Sequence, residues 1–171
     1  MIIKSKNFIL RPYDKKDAMC LFENFNDRKV TQFMSGAKCP YTLSDAKKWI
    51  DYCKKSEGKK PRKDMIFVIE KGAKFAGSIS LRKIKGHKAE LSYWLGRKYW
   101  NKGIITEAIG VTTGFGFNKL KLKRIYAYVF KKNKNSARVL EKNGFKAEGL
   151  LRKDRIKDGK FIDVYVYAKL N

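Results

Sequence analysis

The sequence contains a single histidine and three cysteines, Cys20, Cys39 and Cys53, an odd number spread widely along the chain. These residues make no recognisable zinc pattern, and no metal is expected. The thiols read as reduced, buried or incidental groups of a cytoplasmic protein. No apolar run approaches the roughly 20 residues of a membrane span, which excludes a membrane-crossing helix and predicts no membrane partner. The opening MIIKSKNF has no long apolar stretch, so it does not read as a secretory leader. Acidic residues are scarce as well: 16 Asp and Glu stand against 41 Lys and Arg, for a formal net charge of +25. Such a surface repels polycations and attracts polyanions, so RNA, the ribosome or an acidic protein would suit it as a partner. A lysine-rich proteome would give the same excess, because lysine predominates over arginine and is spread rather than clustered.

The 171 residues are 43% hydrophobic and 13% aromatic. That is enough for one folded domain over 1–171 with a sizeable core. No internal repeat or low-complexity tract interrupts it.

The most informative stretch is Glu90–Ala108. Residues 89–95 are rich in β-formers, and from Thr106 a helical pattern runs to about Asn118. Between them lies a short basic loop carrying Gly103. A chain that leaves a strand and enters a helix through such a loop presents free backbone N–H groups and the positive end of the helix dipole. Lys98 and Lys102 add charge there. The stretch therefore reads as a site for a phosphate-bearing ligand.

Upstream, Phe8–Arg11 reads as a strand closed by Pro12. Asp14 is placed to cap a helix, with Asp17 at capping-box distance. Ala18, Leu21, Phe22 and Phe25 then follow helical spacing. Residues 26–42 look irregular, and Ser44 is expected to cap a second helix with Ala46, Trp49, Ile50 and Cys53 on one stripe. Lys54–Lys63 is a basic loop that reads as solvated. Met65–Glu70 and Phe75–Ile84 are strands, with Gly77 as a possible bulge. His87 reads as exposed in a turn. After the long helix, Arg124–Phe130 alternates as a strand, and a right-handed crossover lays it parallel to strand 89–95. Ligands bind at the C-terminal ends of such strands. Lys134–Asn143 is a helix ended by Gly144. Phe145–Leu151 and Phe161–Leu170 are strands joined around Asp158-Gly159.

Two motifs carry a resemblance. YWNKGIITEA resembles the acetyl-CoA-binding segment of the GNAT superfamily of N-acetyltransferases, most nearly its RimJ/RimL-like, ribosomal-protein N-terminal branch. That segment commonly reads aromatic-Trp-Gly-Lys-Gly-Tyr-Ala-Thr-Glu-Ala. Trp100, Lys102, Gly103, Thr106, Glu107 and Ala108 match it. Asn101 replaces a glycine, which asparagine's tolerance of left-handed backbone makes mild. Ile105 replaces a small residue and is placed to crowd a pyrophosphate. The second motif, Asn133-Lys134-Asn135-Ser136 followed by Glu141-Lys142-Asn143-Gly144-Phe145, is similar to the family's Asn-x-x-Ser/Ala and Glu-Lys-x-Gly-Phe, at the right distance from the first.

The resemblance covers most of the chain from about Phe8 to Leu170. It implies a mixed α/β fold with a mostly antiparallel sheet of about seven strands, helices on both faces and a splayed parallel strand pair. It also implies transfer of an acetyl group from acetyl-CoA to a primary amine. Backbone groups near Trp94 and Leu95 would pair with the pantetheine arm, and those of Asn101, Lys102, Gly103, Ile104, Ile105 and Thr106 would hold the pyrophosphate, with Trp100 packed beneath the loop. Asn133, Ser136 and Lys142 would complete the cofactor site. Many relatives carry a general-acid tyrosine where this chain has Leu140, so Ser136 is the expected acid. Its bland alternative is a helix-terminal residue satisfying backbone donors. Glu90 is the expected base, sharing a strand face with Ser92 and Trp94, where apolar neighbours would raise its pKa. Tyr93 would line the acceptor pocket. No cysteine lies in either motif, so direct transfer in a ternary complex is expected from a monomer or homodimer. The branch suggests a protein N-terminal amine as acceptor, with an amino sugar or antibiotic next. A ribosome- or RNA-binding module with a degenerate cofactor pocket, blocked by Ile105, is the alternative of another class.

Overall fold

Alternating and continuous apolar runs lay down the strands, and two helix pairs cover them. The computed structural model describes residues 1–38, 40–59 and 61–171. Cys39 and Lys60 of the basic loop therefore lie outside the described residues. Among the described residues eight strands form one sheet in the order β1-β2-β3-β4-β5-β6-β8-β7. They are β1 Ile3–Lys4, β2 Ile9–Arg11, β3 Met65–Lys71, β4 Lys74–Lys85, β5 Lys88–Leu95, β6 Arg124–Phe130, β7 Lys146–Lys157 and β8 Lys160–Leu170. The helices are α1 Ala18–Phe25, α2 Arg28–Thr31, α3 Leu43–Glu57, α4 Ile104–Asn118 and α5 Lys134–Lys142. All neighbouring strands run antiparallel except β5 and β6, the parallel pair expected from the crossover through α4.

The main core lies between the sheet and α4 and α5, where Ile79, Leu81, Leu91, Ile125 and Val129 meet Ile104, Ile109 and Leu140. The opposite face packs Ile66, Val68 and Phe75 on Leu21 of α1 and on Ala46, Ile50 and Cys53 of α3. Each buried Ile, Leu, Val or Phe among them contributes about 1.5–3 kcal/mol by leaving water. Burial raises the Cys53 thiol to about 12, so this cysteine is an inert packing group.

The expected sheet of about seven strands has eight, the extra one a short arm in which Ile3 and Lys4 pair with Leu10 and Ile9. Two expectations are corrected. Residues 26–42 are not wholly irregular: Asp27 caps the four-residue α2. The cap of α3 is Thr42, not Ser44. The Thr42 side chain accepts from the Asp45 N–H and the Asp45 carboxylate accepts from the Thr42 N–H, a capping box built with aspartate. The box at Asp14 and Asp17 is present as read, on a short 3-10 turn that precedes α1.

Gly77 and its neighbour shape the site from behind. The β3–β4 register passes from Ile69↔Gly77 to Glu70↔Phe75, leaving Ala76 as the extra residue of a bulge. A Cβ at Gly77 would lie 2.2 Å from the Trp94 carbonyl oxygen, so β4 can approach the end of β5 only through glycine.

Candidate active site

The parallel ladder is short. β5 and β6 pair at Lys88↔Arg124, Ala89↔Ile125 and Glu90↔Tyr126, and there the pairing ends. Both strands continue, β5 to Leu95 and β6 to Phe130. Their outer edges are taken, by β4 on one side and β8 on the other. The facing edges of 91–95 and 127–130 thus belong to no ladder. Backbone polar groups in such a cleft call for partners from elsewhere.

The loop at the mouth of the cleft follows from two left-handed residues. Asn101 has φ 58° and Gly103 has φ 71°. Gly103 is the N-cap of α4 and supplies no side-chain acceptor to the first turn. A Cβ built there meets nothing within 4 Å, so the chain is open on that side where it enters the 15-residue helix, whose first turn carries the positive end of the dipole. The helix starts at Ile104, two residues before the expected Thr106. Ile104 is buried, and Ile105 is half-buried against the main core. Ile105 therefore has its packing partners on the inside of the helix. Trp100 is 37% exposed rather than covered by the loop. Its indole N–H donates to the Leu95 carbonyl at 2.8 Å, which ties the loop back to β5. Lys102 is exposed and donates through Nζ to the Lys98 carbonyl at 2.8 Å.

The second motif closes the other side. Asn133 Oδ1 accepts from the Ser136 N–H at 3.1 Å and so caps α5. The Ser136 hydroxyl is thereby free of capping duty. Its Oγ lies 2.8 Å from the Tyr93 hydroxyl of β5. Burial pushes the Tyr93 phenol above its usual range, against the bond to Ser136, so it stays protonated at neutral pH. The hydroxyl of Tyr93, the residue expected to line the acceptor pocket, thus reaches the first turn of α5. The Trp94 ring packs into the opposite core between Phe25 and Phe75, at 5.1 and 5.7 Å between centroids. The half-buried ring is thus committed to packing, and the Trp94 backbone lies on the unpaired edge of β5. Lys142 is exposed at the end of α5. The next residue, Asn143, donates from Nδ2 to the Thr106 carbonyl at 3.1 Å, which sets this end of α5 beside the first turn of α4. Sequence reasoning missed Asn143, since Lys-Asn-Gly reads only as a helix end.

Glu90 stands at the last paired rung, where the strands part. Its neighbours are charged, not apolar as expected. Glu90 Oε2 is 2.7 Å from Lys83 Nζ, and Arg82 lies opposite Glu90 in the β4–β5 register. Lys83 was missed because its placement depends on a register shift between Arg82 and Lys85 that no local pattern announces. His87 is exposed in its turn as read. Among the described residues no cluster of His, Cys, Asp and Glu could hold a metal ion, and no helix is long and apolar enough to cross a membrane.

A parted parallel strand pair with an uncapped helix N-terminus at its mouth offers free backbone groups to an extended, phosphate-bearing ligand. Residues 7–146 match the acetyltransferase (GNAT) domain family. The chain is 34% identical to the probable N-acetyltransferase YjcK of Bacillus subtilis, covering 99% of this chain and 97% of that protein. It superposes on the microcin C7 self-immunity acetyltransferase MccE, solved with acetyl-CoA and AMP, with a TM-score of 0.87 at 26% identity over 98% of this chain and 94% of that one. It has the fold of RimL, the ribosomal L7/L12 α-N-protein acetyltransferase solved with coenzyme A, with a TM-score of 0.90 at 19% identity over 99% and 98% of the two chains. The chain belongs to the GNAT acetyltransferase family and is an N-acetyltransferase with acetyl-CoA as donor.

Proposed function

We propose that the acceptor is a protein N-terminal α-amine, acetylated by direct transfer while acetyl-CoA and acceptor are bound together. The observation that carries the placement of the reaction is the parting of β5 from β6 beyond Glu90 and Tyr126. In this reading the backbone of Trp94 and Leu95 meets the pantetheine arm and the N–H groups from Asn101 to Thr106 take the diphosphate, with Lys102 and Lys142 adding charge. Asn133 offers its amide N–H groups to the arm, because its carbonyl is already used in the cap. Trp100 braces the loop.

Acetyl transfer needs an amine stripped of a proton, a donor for the developing oxyanion, a hydrogen bond or proton for the departing sulfur, and both reactants held in place. Glu90 serves the first, directly or through water. Backbone N–H groups of the parted strands serve the second and Ser136 the third.

The acceptor class rests on charge and on kinship of fold. A chain of net charge +25 draws an acidic protein and repels a polycation. A small amine such as an amino sugar or antibiotic is the next acceptor in line. An RNA-binding module with a degenerate pocket is disfavoured by the inward packing of Ile105, the residue that would have blocked the phosphates.

The test begins with thermal unfolding in the presence of acetyl-CoA, where ligand at about 100 times its Kd adds roughly 2.7 kcal/mol of stability. Mass spectrometry of N-terminal peptides, amino sugars and polyamines incubated with enzyme and acetyl-CoA then identifies the acceptor. Acetyl gain by small amines alone overturns the acceptor class. RNA binding that falls steeply with salt, with no stabilisation by acetyl-CoA, overturns the whole reading.

A further inference from the structure

We propose that Lys83 is a self-acetylation site: its amine occupies the place of an acceptor amine beside Glu90 and takes the acetyl group of acetyl-CoA bound in the cleft. The proposal rests on Glu90 being the base of the reaction above.

Lys83 does not reach Glu90 by chance of a long side chain. The β4–β5 register shifts between Arg82 and Lys85, and within that irregularity Lys83 has a left-handed backbone, φ 51°. That conformation costs a non-glycine residue about 1 kcal/mol or more and persists only where surroundings hold it. Here the Lys83 N–H donates to Asp64 Oδ1 at 2.9 Å. Arg82, the register partner of Glu90, has its guanidinium over the Trp49 ring of α3 at 5.6 Å. Glu90 is left to Lys83, with Nζ and Oε2 2.7 Å apart.

Exposure and reach also suit an acceptor. The Lys83 side chain is 65% exposed and Glu90 only 18%, so the amine can swing while the carboxylate stays. Glu90 is the last paired residue, and the unpaired edge begins at the next one. At about 3.3 Å of rise per residue, the first positions of that edge lie within the sweep of a four-carbon stem. Among the described residues the other lysines in ion pairs with carboxylates, Lys38, Lys131 and Lys157, pair with Asp45, Asp163 and Asp158, none of which is on β5 or β6.

The step balances. The Lys83 ammonium gives one proton to the Glu90 carboxylate, and the freed lone pair attacks the acetyl carbonyl carbon. The C–N bond forms, the C–S bond breaks, and the amine nitrogen sheds its second proton as the sulfur leaves. CoA departs as the thiol, the remaining proton passes from Glu90 to water, and Lys83 becomes a neutral amide. The ion pair with Glu90 holds the ammonium in its charged form, so the reaction accelerates as pH rises from neutral to alkaline. Once acetylated, Lys83 no longer competes with an incoming amine for Glu90.

The experiment incubates the full chain with isotopically labelled acetyl-CoA and no acceptor, then follows acetyl occupancy at each lysine by peptide mass spectrometry. Lys83 is expected to lead the other exposed lysines at least ~10-fold, as an amine held at high effective concentration should. Glu90→Gln is expected to remove that lead, and Lys83→Arg to abolish the modified peptide while acetyl-CoA affinity by calorimetry is unchanged. Labelling scattered over surface lysines, or a Lys83 lead that survives Glu90→Gln, overturns the proposal. Calorimetry separates the two levels: an enzyme that binds acetyl-CoA and fails to label Lys83 defeats this inference alone, and one that binds no acetyl-CoA defeats the cleft itself.

Discussion

The Tyr93 hydroxyl lies 2.8 Å from Ser136 Oγ, joining β5 to the first turn of α5 across the parted strands. Because Asn133 caps the helix, the Ser136 hydroxyl is not spent on backbone donors. Because burial keeps the phenol neutral, Tyr93 can donate to Ser136 Oγ and leave the serine proton for a third atom. Two hydroxyls acting as one unit are expected to give non-additive losses. Tyr93→Phe and Ser136→Ala should each lower kcat with little change in KM for acetyl-CoA. The double variant should be no worse than the poorer single one. Steady-state kinetics with the acceptor found by mass spectrometry decides this. Losses that multiply would mean that the residues act separately.

Gly103 makes a sharper test of the cofactor loop. Its φ of 71° disfavours any β-branched residue, while the space around it holds no protein atom within 4 Å of a Cβ. Gly103→Val therefore strains the cap by about 1–3 kcal/mol and fills with methyl groups the open space beside the start of α4. Acetyl-CoA binding should be lost in calorimetry while the far-ultraviolet circular dichroism stays native. Retained affinity would remove the diphosphate from this loop.

Much of this architecture is legible in the residues themselves. Arg124–Phe130 reads as β6 to the residue, because Ile125, Ala127 and Val129 alternate with half-buried tyrosines. Asp158-Gly159 reads as a hairpin turn, and both residues have positive φ. Boundaries fail where two local rules compete. Ile104 and Ile105 are β-branched and read as loop before a helix at Thr106, yet a left-handed Gly103 starts α4 immediately before them. Thr42 and Ser44 both suit a cap, and only the reciprocal bond with Asp45 decides between them. Two site contacts that escape the sequence are long-range, Tyr93 with Ser136 and Asn143 with Thr106, and a third, Lys83 with Glu90, is local but made through a bulge. The motifs name one partner in most of these pairs and never the distance.

Arg11 gives a stability test away from the cleft. Its guanidinium makes two bonds of 2.8 Å to Asp17 and one of 2.5 Å to Glu70, binding β2, the entry to α1 and β3 together. The Asp17 bond, with that to Glu70, raises the guanidinium against the cost of its burial. Asp17 is 3% exposed and also accepts from the Asp14 N–H. Asp17→Ala breaks a buried ion pair from one side and should cost about 3–5 kcal/mol. For a chain of this size that is a fall in Tm of roughly 10 °C. Differential scanning calorimetry measures it, and a shift of a degree or two would show that Glu70 alone suffices to hold Arg11.

Acid should loosen α3 through its cap. The Thr42 hydroxyl and N–H, with help from Lys38, hold the Asp45 carboxyl down at about 2. A carboxyl depressed in the folded state adds stability above its unfolded value, about 3.9, and surrenders it as pH falls toward the folded one. Thr42→Ala removes the reciprocal partner and should cost about 1 kcal/mol near neutral pH, as loss of an N-cap does. The gap between wild type and variant should then narrow on acidification, because Asp45 of the unfolded chain takes up its proton first and the advantage of the folded carboxylate shrinks as pH approaches about 2. Urea midpoints at about pH 6 and about pH 2.5 test the sign. A gap of equal size at both would mean that Asp45 stays outside the cap in solution and that Thr42 acts through its hydroxyl alone.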